Sequence, residues 1–530
     1  MNHEQFQDML DNLANVGVGQ EVLGEVLARV SLIAPEETSR IAIAAGNPAA
    51  RRAVDQRAIP QGTVSKAVKA LMDEGLLEAG ERALSSPDGR PLLPIRLGSS
   101  YAIAGVNITQ SGDQPRQVTT ALLGLDGTRD PFGIAHDRAD RWDQAIELIH
   151  YHVASLKRAC DRDRAARGLE PLRMLGVGVE VGSPVYNGEV MAHLSDGSAP
   201  PVALTAALNR LFKADPGFGQ AVPVIVENDV NALAVLAIHQ AHYAEPDLVV
   251  VGVFDEGVGG GLVMDGRLRR GGNGRAMEIG HLAVSFPPGH QEREPDPRDR
   301  GRGALSAGLP DFYTRCWCGH LGHVDTLAPP RRIQGMLGDF PLDQLGETDS
   351  RHPRFEEAQH VFARSGAALG RALAHVSNTV NPSRIITYLP APLAGPKPDT
   401  AAAAYRAAME QEVLSAFAAG DKDDYLTIRA LPAEPEDLAL LGARAAAICV
   451  LESFIEHALR LDGCTTTLRR SSGSTGGFPV LKLTGIPGDG GLPGPSYVPG
   501  SLATGEPREQ YRLQSARGAV REWFAKKCSK

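Results

Sequence analysis

Residues 227–281 of this 530-residue chain decide its fold, and three short motifs mark the stretch. Residues 227–232 read ENDVNA, residues 257–261 read GVGGG, and residues 274–281 read GRAMEIGH. The apolar run Leu248–Phe254 between the first two motifs has the composition of a buried strand. Glycine lets a backbone approach a ligand closely, while carboxylates and histidine supply directional hydrogen bonds. Strand, glycine-rich turn, strand and polar turn in this order predict a binding cleft.

These motifs resemble those of the ROK family, which includes repressors and sugar kinases. The resemblance covers roughly residues 55–460 and is most specific at 227–232, 257–281 and 316–325. It implies an α/β fold whose core is actin-like, ribonuclease-H-like and divided into two lobes. It also implies a cleft for a small-molecule effector, a sugar or a sugar phosphate. By resemblance, the effector-binding residues are Asn228, Asp229, Glu278, His281 and Asp325.

The pair Asn228-Asp229 has two interpretations. In ROK kinases this Asp is the base that takes the proton from the sugar hydroxyl, and the Asn binds another hydroxyl. An Asn or Asp before a helix is also an ordinary N-cap. Asp229 is therefore a catalytic candidate only if the protein is a kinase.

Composition limits the class of protein. The net charge of −9 argues against a protein coated in basic charge, although a small DNA-binding module remains compatible with it. Six cysteines without regular spacing favour a reducing compartment over a disulfide framework. No apolar run reaches membrane-spanning length, and the first thirty residues are unlike a signal peptide. A cytoplasmic protein that does not associate with a membrane is expected.

The first hundred residues predict a winged helix-turn-helix. Apolar residues at helical spacing predict helices over 19–33 and 36–45, and a third helix follows Pro60. Val64, Val68 and Leu71 of the third helix face inward, and its other face carries short polar and cationic side chains. A wing turn through 85–91 contains Gly-Arg-Pro, as in ROK repressors. The predicted DNA-binding residues are Gln61, Thr63, Ser65, Lys66, Lys69 and Arg90.

Local charge supports this interpretation, because residues 51–71 carry five basic side chains against one acidic side chain. The alternative is an amphipathic helical hairpin used for dimerisation, whose charges are merely solvated.

Three segments organise the chain. Residues 1–98 are predicted to form the DNA-binding domain and residues 99–463 the ROK core, with an inserted loop at 287–314. Residues 464–530 are rich in glycine, serine and proline and are predicted to be a disordered basic tail. Within the core, helices are predicted over 142–166, 356–380 and 436–461.

The nucleotide site of the family is degenerate in this sequence. ROK kinases end their first core strand in Asp-x-Gly-Gly-Thr, whereas residues 105–110 here read GVNITQ. The neutral amide of Asn107 cannot hold hydrated Mg²⁺ as a carboxylate does. Leu389-Pro390 also replaces the Gly-Gly that kinases place beside adenosine. Both changes weigh against kinase activity.

Residues 316–325, CWCGHLGHVD, resemble the zinc motif of the family. His323 stands in place of the third cysteine, and Asp325 in place of the glutamate. The metal ligands predicted from the resemblance are His281, Cys316, Cys318 and His323, around a structural zinc ion. His320 or His290 could replace one of them, and a metal-free pair of buried cysteines is the alternative.

Three functions remain open at this point. The first is a ligand-responsive transcriptional regulator that binds double-stranded DNA as a homodimer or homotetramer. The second is an ATP-dependent, glucokinase-like sugar kinase with an added N-terminal domain. The third is a regulator whose cleft no longer binds sugar and which responds to a protein partner.

Overall fold

A computed structural model of the protein describes residues 13, 18–31, 33, 34, 36–45, 58–81, 84, 85, 91–110, 114–127, 132–191, 200–218, 222–240, 247–284, 316, 318–338, 344, 346–416 and 425–458. The inserted loop 287–314, the tail 464–530, Arg90 and His290 lie outside these residues. The domain boundaries given above remain predictions.

The N-terminal elements combine three helices with short strands. In chain order they are α1 (Gln20–Ser31), β1 (Thr38–Ser39), α2 (Arg40–Ala45), α3 (Gln61–Asp73), β2 (Leu77–Ala79), β3 (Leu84–Ser85), β4 (Pro91–Leu92) and β5 (Pro94–Leu97). Strands β1, β5 and β2 form one sheet in that order, and β3 pairs with β4. Gly75 ends α3 with a φ of 84°, a conformation that favours glycine.

The helix predicted over 36–45 is wrong in its first part. Thr38 and Ser39 pair with β5 as a strand. The Ser39 hydroxyl then accepts the backbone N–H of Ala42 at 3.2 Å, which starts α2 only at Arg40.

The first lobe of the core is built on a five-stranded sheet. Its elements are β6 (Tyr101–Thr109), β7 (Arg116–Gly124), β8 (Gly133–Ala139), α4 (Trp142–Ala166), β9 (Arg173–Val181), β10 (Val185–Tyr186), β11 (Glu189–Val190), α5 (Leu204–Ala214) and β12 (Val224–Asn228). The sheet order is β12-β9-β6-β7-β8, and β6, β9 and β12 run parallel. The helix predicted over 142–166 is confirmed as α4.

The second lobe repeats this topology. Its elements are α6 (Asp229–Gln240), β13 (Leu248–Val253), β14 (Val258–Met264), β15 (Arg267–Leu268), α7 (Pro330–Met336), α8 (Phe355–Val380), β16 (Arg384–Pro390), α9 (Ala391–Ala394), α10 (Ala401–Ser415), β17 (Leu426–Leu431) and α11 (Pro435–Ala458). The sheet order is β15-β14-β13-β16-β17. Counted from its own first strand, each sheet has the order 3-2-1-4-5, so the predicted two-lobed α/β core is confirmed.

Helices α6 and α11 fill the space between the two sheets. Helix α11 packs on β6, β9 and α6, and it also contacts α1 of the N-terminal part. A side chain at Gly105 would collide with the carbonyl of Ala443, and one at Gly178 with the carbonyl of Ala446. These two glycines bring the backbone of α11 directly against β6 and β9.

Among the described helices, one segment, Pro435–Glu456 of α11, is long and apolar enough to cross a membrane, and 72% of its apolar window is buried inside the protein. Such burial is typical of a core helix.

Candidate functional site

The end of β12 and the start of α6 place Asn228 and Asp229 in the cleft. The Asn228 side-chain oxygen accepts the backbone N–H groups of Val230 and Asn231, at 3.1 and 3.3 Å, and so caps α6. Its amide nitrogen donates to the Ser183 carbonyl at 3.4 Å. Asn228 therefore has a structural role that is independent of any ligand. Asp229 accepts the N–H of Val230 at 2.8 Å and keeps its second oxygen near Gly182.

Glu227 holds this helix start in place from below. One carboxylate oxygen accepts the Asn231 amide at 3.0 Å, and the other accepts Arg270 Nε at 2.5 Å. Glu227 is only 2% exposed, so its charge needs the guanidinium as a partner. The pair joins the first motif of the cleft to the polar segment after β15.

The glycines of the second motif serve close packing. Side chains at Gly259 and Gly261 would press on Val230 and Asn231 of α6, and one at Gly260 would press on Met277. Residues 258–264 form β14 rather than an open loop, and Asp265-Gly266 makes the hairpin turn to β15, with φ values of 54° and 69°. Packing alone accounts for these three glycines.

The polar turn carries Glu278 and His281 to the cleft. A short 3-10 helix, Ile279–His281, presents both side chains, and His281 Nε2 lies 3.9 Å from a Glu278 carboxylate oxygen. Met277 has a φ of 65°, in the left-handed region that glycine adopts freely. A glycine at this position would adopt the same backbone without strain.

Asp325 lies beneath the cleft and is 7% exposed. Its carboxylate accepts the N–H of Val258 at 2.8 Å and packs where Gly280 has no side chain. It thereby connects β14, the polar turn and residues 316–325. These contacts are structural, and Asp325 was predicted to contact the effector.

Burial dominates the electrostatics of the cleft. It raises the pKa of Asp229 to about 6, while the Val230 N–H opposes that rise. Burial also raises the pKa of Glu278, and Arg275 opposes it. For His281 burial lowers the pKa, which favours the neutral imidazole. At neutral pH the cleft thus offers a carboxylate base beside a neutral ring that can donate or accept.

Four predicted metal ligands converge beside this cleft. One ligand atom from each of His281, Cys316, Cys318 and His323 lies within 4.8 Å of those from the other three, and we call this group the His/Cys cluster. His281 Nδ1 lies 3.3 Å from His323 Nδ1 and 3.5 Å from Cys316 Sγ, and Cys318 Sγ lies 3.3 Å from His323 Nδ1. Neighbouring ligand atoms of tetrahedral zinc are about 3.3 to 3.8 Å apart. The donor set and its spacing therefore fit zinc.

The two nitrogens of His281 face different sites. Nδ1 belongs to the His/Cys cluster, whereas Nε2 is directed to Glu278 in the cleft. His320, the alternative ligand, stacks on the His323 ring at a centroid distance of 5.5 Å, and its Nδ1 lies 3.5 Å from Cys318 Sγ. Among the described residues, it is not one of the four that form the cluster.

Near Asp229, the ends of β6 and β9 contain a buried residue that sequence reasoning missed. Asn107 on β6 is registered opposite Glu180 on β9, and its amide donates to a Glu180 carboxylate oxygen at 2.5 Å. Both side chains are buried, at 5% and 4% exposure. Burial, together with nearby Asp229, raises the pKa of Glu180 to about 8, and the bond from Asn107 opposes this. A side chain at Gly442 of α11 would collide with Glu180, so α11 covers the pair.

Comparison with known proteins shows which family the residues around the cleft resemble. Residues 217–388 match the model of the ROK family. This range contains the three motifs at 227–232, 257–261 and 274–281 and the His/Cys cluster. The chain contains a ROK family domain.

Relatives of the ROK domain include regulators and kinases. The DNA-binding transcriptional repressor Mlc of Escherichia coli strain K12 is 28% identical over 180 residues, which are 31% of this chain and 37% of Mlc. A glucokinase of Halalkalibacterium halodurans is 26% identical over 183 residues, 31% of this chain and 48% of the kinase. The xylose repressor of Bacillus subtilis strain 168 is 20% identical over 336 residues, 62% of this chain and 74% of the repressor. The chain thus spans less than half the length of the first two relatives.

A solved structure extends the likeness beyond the ROK domain. The crystal structure of a ROK family transcriptional regulator, a homologue of the Escherichia coli Mlc protein, superimposes with a TM-score of 0.53 and 18% identity. It covers 82% of this chain and 99% of the solved chain. At this identity the comparison establishes the fold, which is the actin-like ROK fold.

Far from the ROK motifs, five of the six predicted DNA-binding residues lie on α3, and the sixth, Arg90, lies outside the described residues. Gln61, Lys66 and Lys69 are exposed, and Thr63 and Ser65 are half-buried. Val64, Val68 and Leu71 are buried, as their spacing predicted. The polar and cationic side chains therefore share the outward part of this helix.

Proposed function

We propose that this protein is a ligand-responsive, DNA-binding transcriptional regulator of the cytoplasm whose cleft takes a sugar or a sugar derivative. The observation that carries the proposal is the contrast within one cleft. Asp229, Glu278 and His281 remain half-buried and available to a polyol, whereas Asn107 is occupied by Glu180.

The bond between Asn107 and Glu180 argues against nucleotide binding at this end of the cleft. A metal–phosphate group needs a free carboxylate near the end of β6, but the neutral Asn107 donates its amide to Glu180. Ionised Glu180 would add negative charge beside a phosphate, and protonated Glu180 would be a poor metal ligand. Pro390, in place of glycine, ends β16 on the adenosine side.

The part of the cleft lined by Asp229, Glu278 and His281 suits a sugar hydroxyl. Each hydroxyl needs one acceptor and one donor, which a carboxylate and a neutral imidazole supply together. With zinc on Nδ1 of His281, the tautomer would be fixed so that Nε2 carries the proton toward Glu278 and the effector. The structural zinc, held by the His/Cys cluster, is part of the proposal.

The DNA-binding part of the proposal rests on α3. Its exposed face carries Gln61, Lys66 and Lys69, the side chains that recognition helices offer to base edges and phosphates. Thr63, Ser65 and, from the predicted wing, Arg90 complete the proposed set. A homodimer or homotetramer would present two such helices to the half-sites of one operator.

A sugar kinase is the second candidate, because one observation favours it. Asp229 stands at the N-terminus of α6, and its pKa of about 6 suits a general base near neutral pH. Phosphorylation of any hexose by the purified protein would establish this candidate over the first.

Thermal-shift assays with panels of sugars and nucleotides test the ligand. We expect at least one sugar or sugar derivative to raise Tm, and ATP with Mg²⁺ to leave it unchanged. The Glu278→Gln variant should lose the response to that sugar. A rise in Tm with ATP would contradict the proposal.

DNA recognition is tested by selecting duplexes from a random pool. Lys66→Ala should weaken binding to every selected sequence and reduce the salt slope by about one, because one phosphate contact is lost. Gln61→Ala should instead change the preferred sequence. Lys213→Ala, exposed on α5, is the matched control and should bind as the wild type does. If Lys66→Ala behaves like the control, α3 is not the DNA-binding helix.

A further inference from the structure

The C-terminal end of α3 is bonded to the beginning of two core strands. Glu74, which follows α3, accepts Tyr101 Oη at 2.7 Å and Arg173 Nη2 at 2.5 Å on the same carboxylate oxygen. Arg173 Nη1 also donates to the Glu74 carbonyl at 3.0 Å. The Arg173 guanidinium lies 4.5 Å from the centre of the Tyr101 ring. We call these three residues the α3 joint.

The α3 joint is built to stay closed. Tyr101 is fully buried, and burial raises its pKa, with the Glu74 contact adding to the rise, so its hydroxyl remains a donor. Arg173 binds both the side chain and the main chain of Glu74, which fixes the orientation of the helix end as well as its distance. A surface ion pair between single atoms would fix neither.

The same two strands run from the α3 joint to the cleft. Tyr101 of β6 is registered opposite Arg173 of β9, and Asn107 of β6 is registered opposite Glu180 of β9. Both pairs therefore belong to one parallel ladder. At a strand rise of about 3.3 Å per residue, the two ends lie about 20 Å apart.

Helix α11 packs on the cleft half of this ladder, beyond the register shift between Ala102 and Ile103. Its backbone meets Gly105 of β6 and Gly178 of β9, and its Gly442 covers Asn107 and Glu180 at the cleft end. Because α11 also contacts α1, a shift of the ladder moves α11 and α1 with it. Packed interiors transmit such shifts rather than absorb them.

We propose that Arg173 is a positioning residue, which holds α3 through Glu74 and passes changes at the cleft end of β6 and β9 to the DNA-binding helix. This inference rests on the proposed function for its purpose, but the coupling itself is a property of the folded chain. Arg173 does not contact the effector or DNA in this proposal.

Amide hydrogen exchange tests the coupling without DNA or effector. Asn107→Asp places a second carboxyl group against Glu180 and so perturbs the cleft end of the ladder. It should change the exchange rates of α3 amides at least threefold in the wild-type background. The same change should be at least twofold smaller in the Arg173→Gln background, where only the route through α11 and α1 remains. It should be kept in full in Arg141→Gln, where an exposed arginine paired with Asp143 is removed.

Two results would overturn the inference. One is an equal response of α3 in the Arg173→Gln background, and the other is no response of α3 in any background. If Asn107→Asp does not fold, Asn107→Ala, which removes the bond to Glu180, perturbs the same end of the ladder.

DNA binding separates failure of this inference from failure of the proposed function. With duplexes selected by the wild type, Arg173→Gln should lower affinity about tenfold and leave the salt slope unchanged, because no phosphate contact is lost. Unchanged affinity would overturn the inference while the proposed function stands. If the wild type selects no DNA, the proposed function fails, and hydrogen exchange alone decides the role of Arg173.

Discussion

Two groups of polar side chains lie in the core, one partly and one fully buried, and they differ in how their polar atoms are satisfied. In the His/Cys cluster, nitrogen and sulfur atoms from four residues point toward one another at 3.3 to 3.5 Å. In the Asn107–Glu180 pair, a donor meets an acceptor at 2.5 Å. The four ligand atoms of the first group lie close enough together to hold a metal ion, whereas the second group supplies its own partner.

The two groups therefore satisfy their polar atoms in different ways, although both lie beside the same cleft. Two imidazole nitrogens and two cysteine sulfurs at these distances suit one metal ion, so the His/Cys cluster could hold zinc. The Asn107–Glu180 pair needs none for its shared bond. Among the described residues, however, Glu180 Oε2 and Asn107 Oδ1 have no hydrogen-bond partner, so the pair carries a residual cost.

The largest effect should come from breaking the His/Cys cluster. Cys316→Ser should reduce zinc from about one ion per chain to near none and lower the unfolding free energy by about 3 kcal/mol or more, because metal binding contributes folding free energy. Elemental analysis and thermal denaturation measure both. Cys160→Ser, on α4, is the control and should keep its zinc. Wild-type protein that holds no zinc after purification without chelator would refute the metal site.

A smaller effect on stability should follow when Glu180, the ionisable residue of the Asn107–Glu180 pair, is replaced. The folded state keeps the Glu180 proton up to a pKa of about 8, whereas the unfolded chain releases it near 4.5. Unfolding therefore releases a proton between these pH values, and stability falls as pH rises through that window. Glu180→Gln should flatten this slope and leave stability near pH 4 little changed.

Denaturant unfolding at pH 5, 6, 7 and 8 measures the slope. Glu189→Gln, an exposed residue of β11, is the matched control and should keep the wild-type slope. Parallel slopes for the wild type and Glu180→Gln would show that Glu180 ionises normally in the folded protein.

The smallest effect on stability should come from a larger side chain at Gly442 of α11, which would press on the Asn107–Glu180 pair. Gly442→Ala adds a methyl group that meets Glu180 and Asn107, so it should destabilise the protein by about 1 to 3 kcal/mol. Gly335→Ala, in α7 with open space around its Cα, should instead be neutral or stabilising by up to about 1 kcal/mol. Equal Tm values for the two variants would mean that α11 does not cover the pair.

Local sequence predicted most of the fold, because the long elements carry clear periodicity. Helix 142–166 agrees with α4 at both ends, and the buried face of α3 agrees at Val64, Val68 and Leu71. The short strand at Thr38–Ser39 was missed, since its identity depends on pairing with β5, more than fifty residues later. Two residues carry too little pattern to compete with a helical neighbour.

The sequence predicted only those cleft residues that belong to a recognisable motif. The resemblance of residues 316–325 to the ROK zinc motif predicted the four residues that form the His/Cys cluster. Glu180 escaped notice because it stands in an apolar strand, and its meeting with Asn107 depends on the register of β6 and β9. The α3 joint was hidden for the same reason, as Glu74 and Arg173 are ninety-nine positions apart.

The contact of α11 with Gly105 and Gly178 has an evolutionary consequence. Because main-chain atoms make that contact, the facing positions of the helix can drift in sequence without loosening it, whereas the two glycines cannot be exchanged for any larger residue. Natural variants of this protein should therefore diversify along the helix while remaining invariant at these two strand positions.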